Sequence, residues 1–288
     1  MTDHEIIAAD TTMGPVTLLV GDLDAMTKYY RDAVSLRVLE EAANTVTLGR
    51  GTRPVIILEH APELKHASPR EAGLFHTAIL FESEEALAAA VYSVAHSYPN
   101  TFTGSSDHLV SKAFYFTDPE GNGVELYWDR DRSAWSWTHG TLEMSTLYLD
   151  PNAFLQEHLT ETAVAEPVIG GASVGHVHLQ VGDVETARQF YVNLLGFETM
   201  GELPGTALFV SAGGYHHHMA MNTWNSRGAG PRQLALGLSR IDITVPSDDD
   251  LGALAERMTH HGIQTRDDGR TISFDDPWAN TTMVGSAH

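Results

Sequence analysis

The chain is 288 residues long, 42% hydrophobic, and carries 38 acidic against 17 basic side chains, a formal charge of −21. That length suffices for two domains of ordinary size, and the charge repels phosphate backbones and anionic membranes, so nucleic acid and membrane are not expected partners. Cysteine is absent and histidine numbers 16, so any metal must be held by imidazole and carboxylate.

In chain order, the opening Met1-Thr2-Asp3-His4-Glu5 is polar and acidic, unlike a secretory signal, and no apolar run approaches the roughly 18 residues that span a bilayer. The expectation is a cytoplasmic protein. Period and punctuation predict a strand over Pro15–Val20, a helix over Leu23–Val34, and strands near Leu36–Glu41, Thr45–Leu48 and Val55–Glu59. A second unit opens at Gly73–Ala78, places Ser83 as a helix N-cap, and closes through the tight turn Asp118-Pro119-Glu120-Gly121-Asn122. Residues 136–172 lack the pattern and read as a linker with a short helix near Pro151–His158. The third unit has a strand at His176–Val181, a helix at Val184–Leu194, and strands at Phe197–Met200, Ala207–Ser211 and His216–Met221. The fourth runs from Gly237–Asp242 through the N-cap Ser247 to the turn Asp276-Pro277-Trp278-Ala279-Asn280. The predicted fold class is α+β: four βαβββ units forming cupped mixed sheets, two units per half, with halves at 11–135 and 173–288.

Units one and three align without a gap, from Gly14/Gly175 through Tyr30/Tyr191 to Val55-Ile56-Ile57 against His216-His217-His218. Where the first copy has Pro15, Val55 and Ile57, the other has His176, His216 and His218. Imidazoles replacing apolar groups on one scaffold are hard to explain by packing, since a buried imidazole still needs partners. If that last strand begins at His216, alternation puts His216 and His218 on one face and His217 on the other, with His178 sharing the face of His176.

The phrases Gly175-His176-Val177-His178-Leu179, Phe190-Tyr191, Leu195-Gly196-Phe197 and Asp118-Pro119-Glu120-Gly121-Asn122 resemble the vicinal oxygen chelate superfamily. That superfamily includes glyoxalase I, bleomycin- and fosfomycin-resistance proteins and extradiol dioxygenases. The similarity spans roughly residues 12–285 and is greatest to the catechol-2,3-dioxygenase-like branch. It implies metal ligands on the first and last strands of units. Unit one offers Pro15 and Ile57 and unit four Arg240 and Met283, none a plausible ligand. Units two and three offer His76, Glu125, His176 and His218. The implied triad is His76, Glu125 and His176, and His218 is either a fourth ligand or an acid–base histidine. Such a distribution implies that units two and three face each other, within one chain or across a homodimer.

Two histidines and a carboxylate make the open-sided arrangement of non-haem Fe(II) oxygenases. The run His108-Leu109-Val110-Ser111-Lys112-Ala113-Phe114-Tyr115 further resembles an extradiol phrase, which gives His108 and Tyr115 catalytic roles in proton transfer. His178, His216, Asn222 and Trp224 are expected to line the substrate cavity, with packing the competing role for His178, Asn222 and Trp224. The expected function is a metal-dependent extradiol dioxygenase taking a small catechol-like aromatic and O2. Fe(II) is the expected ion, with Mn(II), Ni(II) or Zn(II) as alternatives. A glyoxalase-like isomerase or lyase with four protein ligands is the alternative enzyme, and a metal-free small-molecule binder the alternative outside catalysis. His60, His66, His96, His139, His158, His260, His261 and His288 show no pattern and are expected on the surface.

Overall fold

A computed structural model describes residues 6–287; the opening pentapeptide and His288 lie outside the described residues. In chain order the first repeat comprises β1 (Thr12–Val20), α1 (Leu23–Lys28), β2 (Arg37–Ala42), β3 (Thr45–Arg50) and β4 (Arg53–His60). The second comprises β5 (Gly73–Phe81), α2 (Glu84–Ser97), β6 (Phe102–Asp107), β7 (Ser111–Thr117) and β8 (Gly123–Asp129). Between the repeats lie the short strands β9 (Trp137–Thr138), β10 (Thr141–Leu142) and β11 (Leu147–Tyr148), then α3 (Pro151–His158) and α4 (Glu161–Ala165). The third repeat is β12 (Ala172–Gln180), α5 (Val184–Arg188), β13 (Glu198–Leu203), β14 (Ala207–Ser211) and β15 (Met219–Asn222). The fourth is β16 (Gly237–Val245), α6 (Asp248–His260), β17 (Arg266–Asp267), β18 (Thr271–Asp275) and β19 (Thr281–Ser286). This is the expected mixed α+β fold of curled sheets.

The chain forms two compact units. One, here the amino-half unit, is Leu18–Lys65 with His76–Val174; the carboxy-half unit is the chain up to Thr17, His66–Phe75 and everything from Gly175. Within the amino-half unit β2, β3 and β4 form an antiparallel meander. Beside it in sequence, β6, β7 and β8 form another, with β5 parallel to β8. The carboxy-half unit repeats the second pattern twice. In it β12 runs parallel to β15 and β16 parallel to β19, each last strand heading an antiparallel meander. A parallel first-to-last pairing needs a crossover, and the helix of each repeat supplies it.

Capping chemistry starts the helices where the sequence places it. Ser83 and Ser247 accept from the backbone N–H groups of Ala86 and Asp250, and Asp22 and Asp183 do the same for α1 and α5. The two helices predicted over Leu23–Val34 and Val184–Leu194 each change pitch midway. α1 gives way to a π-helical turn at Tyr29–Ala33 and α5 to one at Gln189–Leu194. The wider turn presents Tyr30 and Tyr191, whose hydroxyls donate to Asp118 Oδ2 at 3.0 Å and Asp276 Oδ2 at 2.9 Å. Each aspartate also accepts from backbone N–H groups of its own turn, Glu120 and Asn122 in one copy, Trp278 and Asn280 in the other. Burial pushes the Asp118 carboxyl up to about 6 and raises Asp276 in the same direction.

Positive backbone φ recurs at matched positions even where glycine does not. Gly196 (φ 86°) corresponds to Ser35 (φ 64°), and Gly121 (φ 85°) to Ala279 (φ 61°). The left-handed turn is therefore a property of the repeat, kept at some cost when a Cβ is present.

The segment expected to be a linker contributes structure. β11 pairs antiparallel with β6, and Phe154 of α3 packs its ring 4.9 Å from Phe114. α3 starts at Asp150, which caps it, and spans the predicted residues; α4 was not foreseen. His158 is one correction to the surface histidines. It is partly buried, with Nε2 3.5 Å from Glu84 and its ring 4.6 Å from Phe154, because α3 packs against α2 there. The other described histidines of that group are exposed. No helix among the described residues is long and apolar enough to cross a membrane.

Candidate metal and proton-transfer site

In the amino-half unit, β8 sits between β5 and β7, with Ala78 opposite Glu125 on one side and Tyr115 opposite Glu125 on the other. Cross-strand partners share a face, and His76, two residues before Ala78, shares it too. The ten-residue spacing of Tyr115 and Glu125 is thus the pairing distance of the β7–β8 hairpin. Small side chains on that face, Ala78 and Ala113, leave room between the larger ones. His76 and Glu125 are both buried, and His76 Nε2 lies 2.9 Å from Glu125 Oε2. A buried carboxylate against an imidazole nitrogen is close enough to share a proton or a cation.

The Tyr115 ring stands 5.7 Å from that of His76. Burial, followed by the negative charge of Glu125 and a hydrogen bond to it, raises the phenol well above its ordinary value. Tyr115 is therefore a neutral phenol and a proton donor at working pH. His108 Nε2 lies 2.7 Å from the Tyr115 hydroxyl, and His108 Nδ1 lies 2.7 Å from the carbonyl of Ser145. A carbonyl only accepts, so Nδ1 carries a proton, and in the neutral ring Nε2 is the acceptor facing Tyr115. The phenolic proton thus has two acceptors, His108 and Glu125.

Local structure aims His108. Leu109 adopts φ 71° and donates its N–H to Asp107 Oδ1, while Arg130 holds both Asp107 oxygens at 2.9 and 2.7 Å. Ser145 comes from the segment taken as linker. Nothing in its sequence marked it as a partner, because its contribution is a backbone carbonyl.

In the carboxy-half unit, His176 and His178 project from one face of β12 and are both buried. The strand expected over His216–Met221 begins only at Met219, and the three histidines before it form the loop after the Gly213-Gly214 turn. Strand alternation does not govern a loop, which corrects the placement of His217. Far from facing away, its ring centroid lies 4.0 Å from that of His176, and its Nδ1 lies 2.8 Å from Nδ1 of His216. His216 and His218 are buried. His218 Nδ1 accepts from the Ala212 N–H at 3.2 Å and meets Ser211 Oγ at 3.0 Å, so the proton of the neutral ring sits on Nε2.

Asn222 accepts the Trp224 N–H through Oδ1 at 3.1 Å, which turns Nδ2 toward His178 Nε2 at 3.0 Å. The amide donates there, so His178 keeps its proton on Nδ1. Phe75, Trp224 and Phe209 ring this imidazole edge-on at 5.0, 5.5 and 6.0 Å. Trp224 is 49% exposed. Phe75 and Phe209 escaped the sequence reading because an aromatic beside a strand histidine looks like ordinary core.

Residues 12–126 and 173–283 match the Glyoxalase/Bleomycin resistance protein/Dioxygenase superfamily. The chain is 34% identical over 276 residues to a catechol-2,3-dioxygenase of Bacillus subtilis (strain 168), covering 94% of this chain and 95% of that protein. In fold it is similar to a provisionally assigned dioxygenase of Bacillus subtilis subsp. subtilis strain 168, with a TM-score of 0.67 at 15% identity over 98% of this chain and 86% of the other. Maize (Zea mays) glyoxalase I aligns with a TM-score of 0.60 at 15% identity over 96% and 92% of the two chains. At that identity the two structures speak for the fold alone, and the Bacillus sequence relative speaks for the enzyme class. The chain belongs to the glyoxalase/bleomycin resistance protein/dioxygenase superfamily, as an enzyme of its extradiol dioxygenase branch.

Proposed function

We propose that the protein is an Fe(II)-dependent extradiol dioxygenase that opens the ring of a catechol-like aromatic with O2, its metal held by His76, Glu125 and His176. The observation that carries the proposal is the buried His76–Glu125 pair at 2.9 Å with the Tyr115–His108 hydrogen-bond chain alongside it. The donor set fits the ion. A neutral imidazole and a carboxylate suit borderline first-row metals, and a second imidazole from His176 completes a three-ligand set with open positions. The name of the Bacillus relative supports the choice of catechol. A bound divalent ion would supply Lewis acidity that makes a catechol hydroxyl easier to deprotonate.

The chain's own groups then move protons. Neutral His108 accepts through Nε2 the proton that Tyr115 releases, while Tyr115 takes one from a substrate hydroxyl. The Ser145 carbonyl steadies the imidazolium so formed through Nδ1–H. His218, with its proton on Nε2 and its Nδ1 side fixed by Ala212, is oriented to donate a hydrogen bond to a substrate or O2 oxygen. His178, His216, Asn222 and Trp224 bind substrate, with Phe75 and Phe209 supplying apolar ring edges.

The test is turnover by anaerobically iron-loaded protein across a panel of catechols once O2 is admitted, with His176→Ala and His60→Ala in parallel. A ring-opened product should form with wild type and with His60→Ala, whose exposed ring lies 3.3 Å from the Gly21 carbonyl. His176→Ala should lose both metal and turnover. Fully metallated wild type that converts no catechol would refute the proposal.

A further inference from the structure

We propose that His176, His216 and His217 form a second metal-binding constellation, free of carboxylate, that takes a late first-row ion such as Zn(II). It rests on the reading above in one respect: the two constellations share His176, so an ion in the second withdraws a ligand from the first. Each of the three histidines offers one ring nitrogen, and these nitrogens all lie within 4.8 Å of one another. The rings of His217 and His216 lie 4.0 and 5.8 Å from that of His176.

The neighbouring pair is the distinctive part. His216 Nδ1 and His217 Nδ1 stand 2.8 Å apart, a distance at which one must carry a proton toward the other's lone pair. A divalent ion can replace that proton and accept both lone pairs. Tetrahedral zinc with Zn–N bonds of about 2.0–2.1 Å spaces its nitrogens by about 3.3 Å, so the pair needs to open by only about half an ångström.

The backbone holds the loop for this purpose. Gly213 and Gly214 turn it with φ of 58° and 67°, and a Cβ at Gly213 would lie 2.2 Å from the Ala9 carbonyl oxygen. Tyr215 packs against His216 at 4.1 Å and against His218 at 4.9 Å. His216 and His176 are buried, whereas His217 is only partly so and offers the ion an entry path.

Selectivity follows from donor type. Three neutral imidazoles leave the ion its full charge and suit Zn(II) or Cu(II), which bind nitrogen sets more tightly than Fe(II) or Mn(II) do. The glutamate in the other constellation brings a hard oxygen donor that these later ions need less. Zinc captured at His176, His216 and His217 should therefore inhibit by competing for His176, and should slow iron loading of apoprotein.

The experiment uses full-length apoprotein carrying His76→Gln and Glu125→Gln, which dismantles the first constellation and keeps the second. Zn(II) is titrated calorimetrically and Co(II) by its ligand-field absorption. One equivalent of Zn(II) should bind, and Co(II) should give the intense bands of tetrahedral coordination. Adding His217→Ala should weaken zinc by more than the roughly 10–100-fold that loss of an outer-shell partner costs, and should abolish the bands. Should any variant fail a thermal-melt check, imidazole nitrogen NMR of the wild-type apoprotein serves instead, where Zn(II) should shift His217 and His216. Absence of zinc binding in the double variant, an unchanged affinity on losing His217, or unshifted His217 nitrogens overturns the inference. Catechol turnover by iron-loaded wild type would be untouched by that failure, and a wild type without turnover would leave the zinc result standing.

Discussion

Replacing Tyr115 by Phe removes one oxygen from the amino-half cluster and tests the proton chain directly. The hydroxyl is bonded to His108 Nε2 at 2.7 Å and faces Glu125, while the ring packs against Ala78, Ala113 and Tyr127. Phe keeps the ring packing, so the structural cost is the acceptor left on His108, about 1–3 kcal/mol. The chemical cost is larger. A positioned acid–base group contributes about 10²–10⁴-fold, equivalent to about 3–5 kcal/mol of barrier. The assay is steady-state ring cleavage by protein loaded anaerobically with iron, with metal content measured on the same sample. We expect kcat to fall by at least about 100-fold with iron content unchanged, because Tyr115 acts on protons and not as a ligand. A kcat within twofold of wild type at full iron occupancy would refute the role, and loss of iron would show that the phenol instead supports Glu125.

Two predictions concern the scaffold. Tyr30→Phe and Tyr191→Phe each remove one donor from a buried aspartate, and each should lower stability by about 1.5–3 kcal/mol, as for hydrogen bonds to charged groups, read by urea denaturation. A cost below about 0.5 kcal/mol in either would mean that the carboxyl's other donors suffice. Ala279→Gly should raise the melting temperature. Relief of a left-handed φ at a residue with a Cβ is worth about 1–2 kcal/mol, against about 0.5–1 kcal/mol of added chain entropy; a fall in melting temperature would show that Ala279 sits there without strain.

The order of strands and helices was legible because each repeat carries its own punctuation. Ser83, Ser247 and the two Asp-Pro turns all serve as the sequence suggests. The residue types of the amino-half cluster were legible too, since His76, Glu125, Tyr115 and His108 converge as a hairpin and its parallel neighbour require. Three features were not. The π-helical turns leave the apolar pattern of the helices intact while changing their pitch. His216–His218 precede a strand and inherit its apolar neighbours, so periodicity extends the strand over them. Ser145 acts through its backbone, and a backbone carbonyl has no signature in sequence.

The two halves also show which parts of this architecture can vary. Tyr30 with Asp118 and Tyr191 with Asp276 make the same bond, from the same π-helical turn to the same Asp-Pro turn, within 0.1 Å (3.0 and 2.9 Å). Positive φ persists at 35/196 and at 121/279 although glycine survives at only one member of each pair. The scaffold has therefore been held by backbone geometry and one buried hydrogen bond per half. Outside that frame the repeats differ in backbone as well as in side chain: β4 is continuous through Val55 and Ile57, whereas His216 and His218 lie in the loop before β15. Proline and aliphatic residues stand at Pro15, Val55 and Ile57 where the third repeat has His176, His216 and His218, and Arg240 in the fourth is paired with Asp242 at 2.6 Å. The repeats thus keep one scaffold while its positions differ in chemistry, with imidazoles in the third repeat where the first has proline and aliphatic side chains.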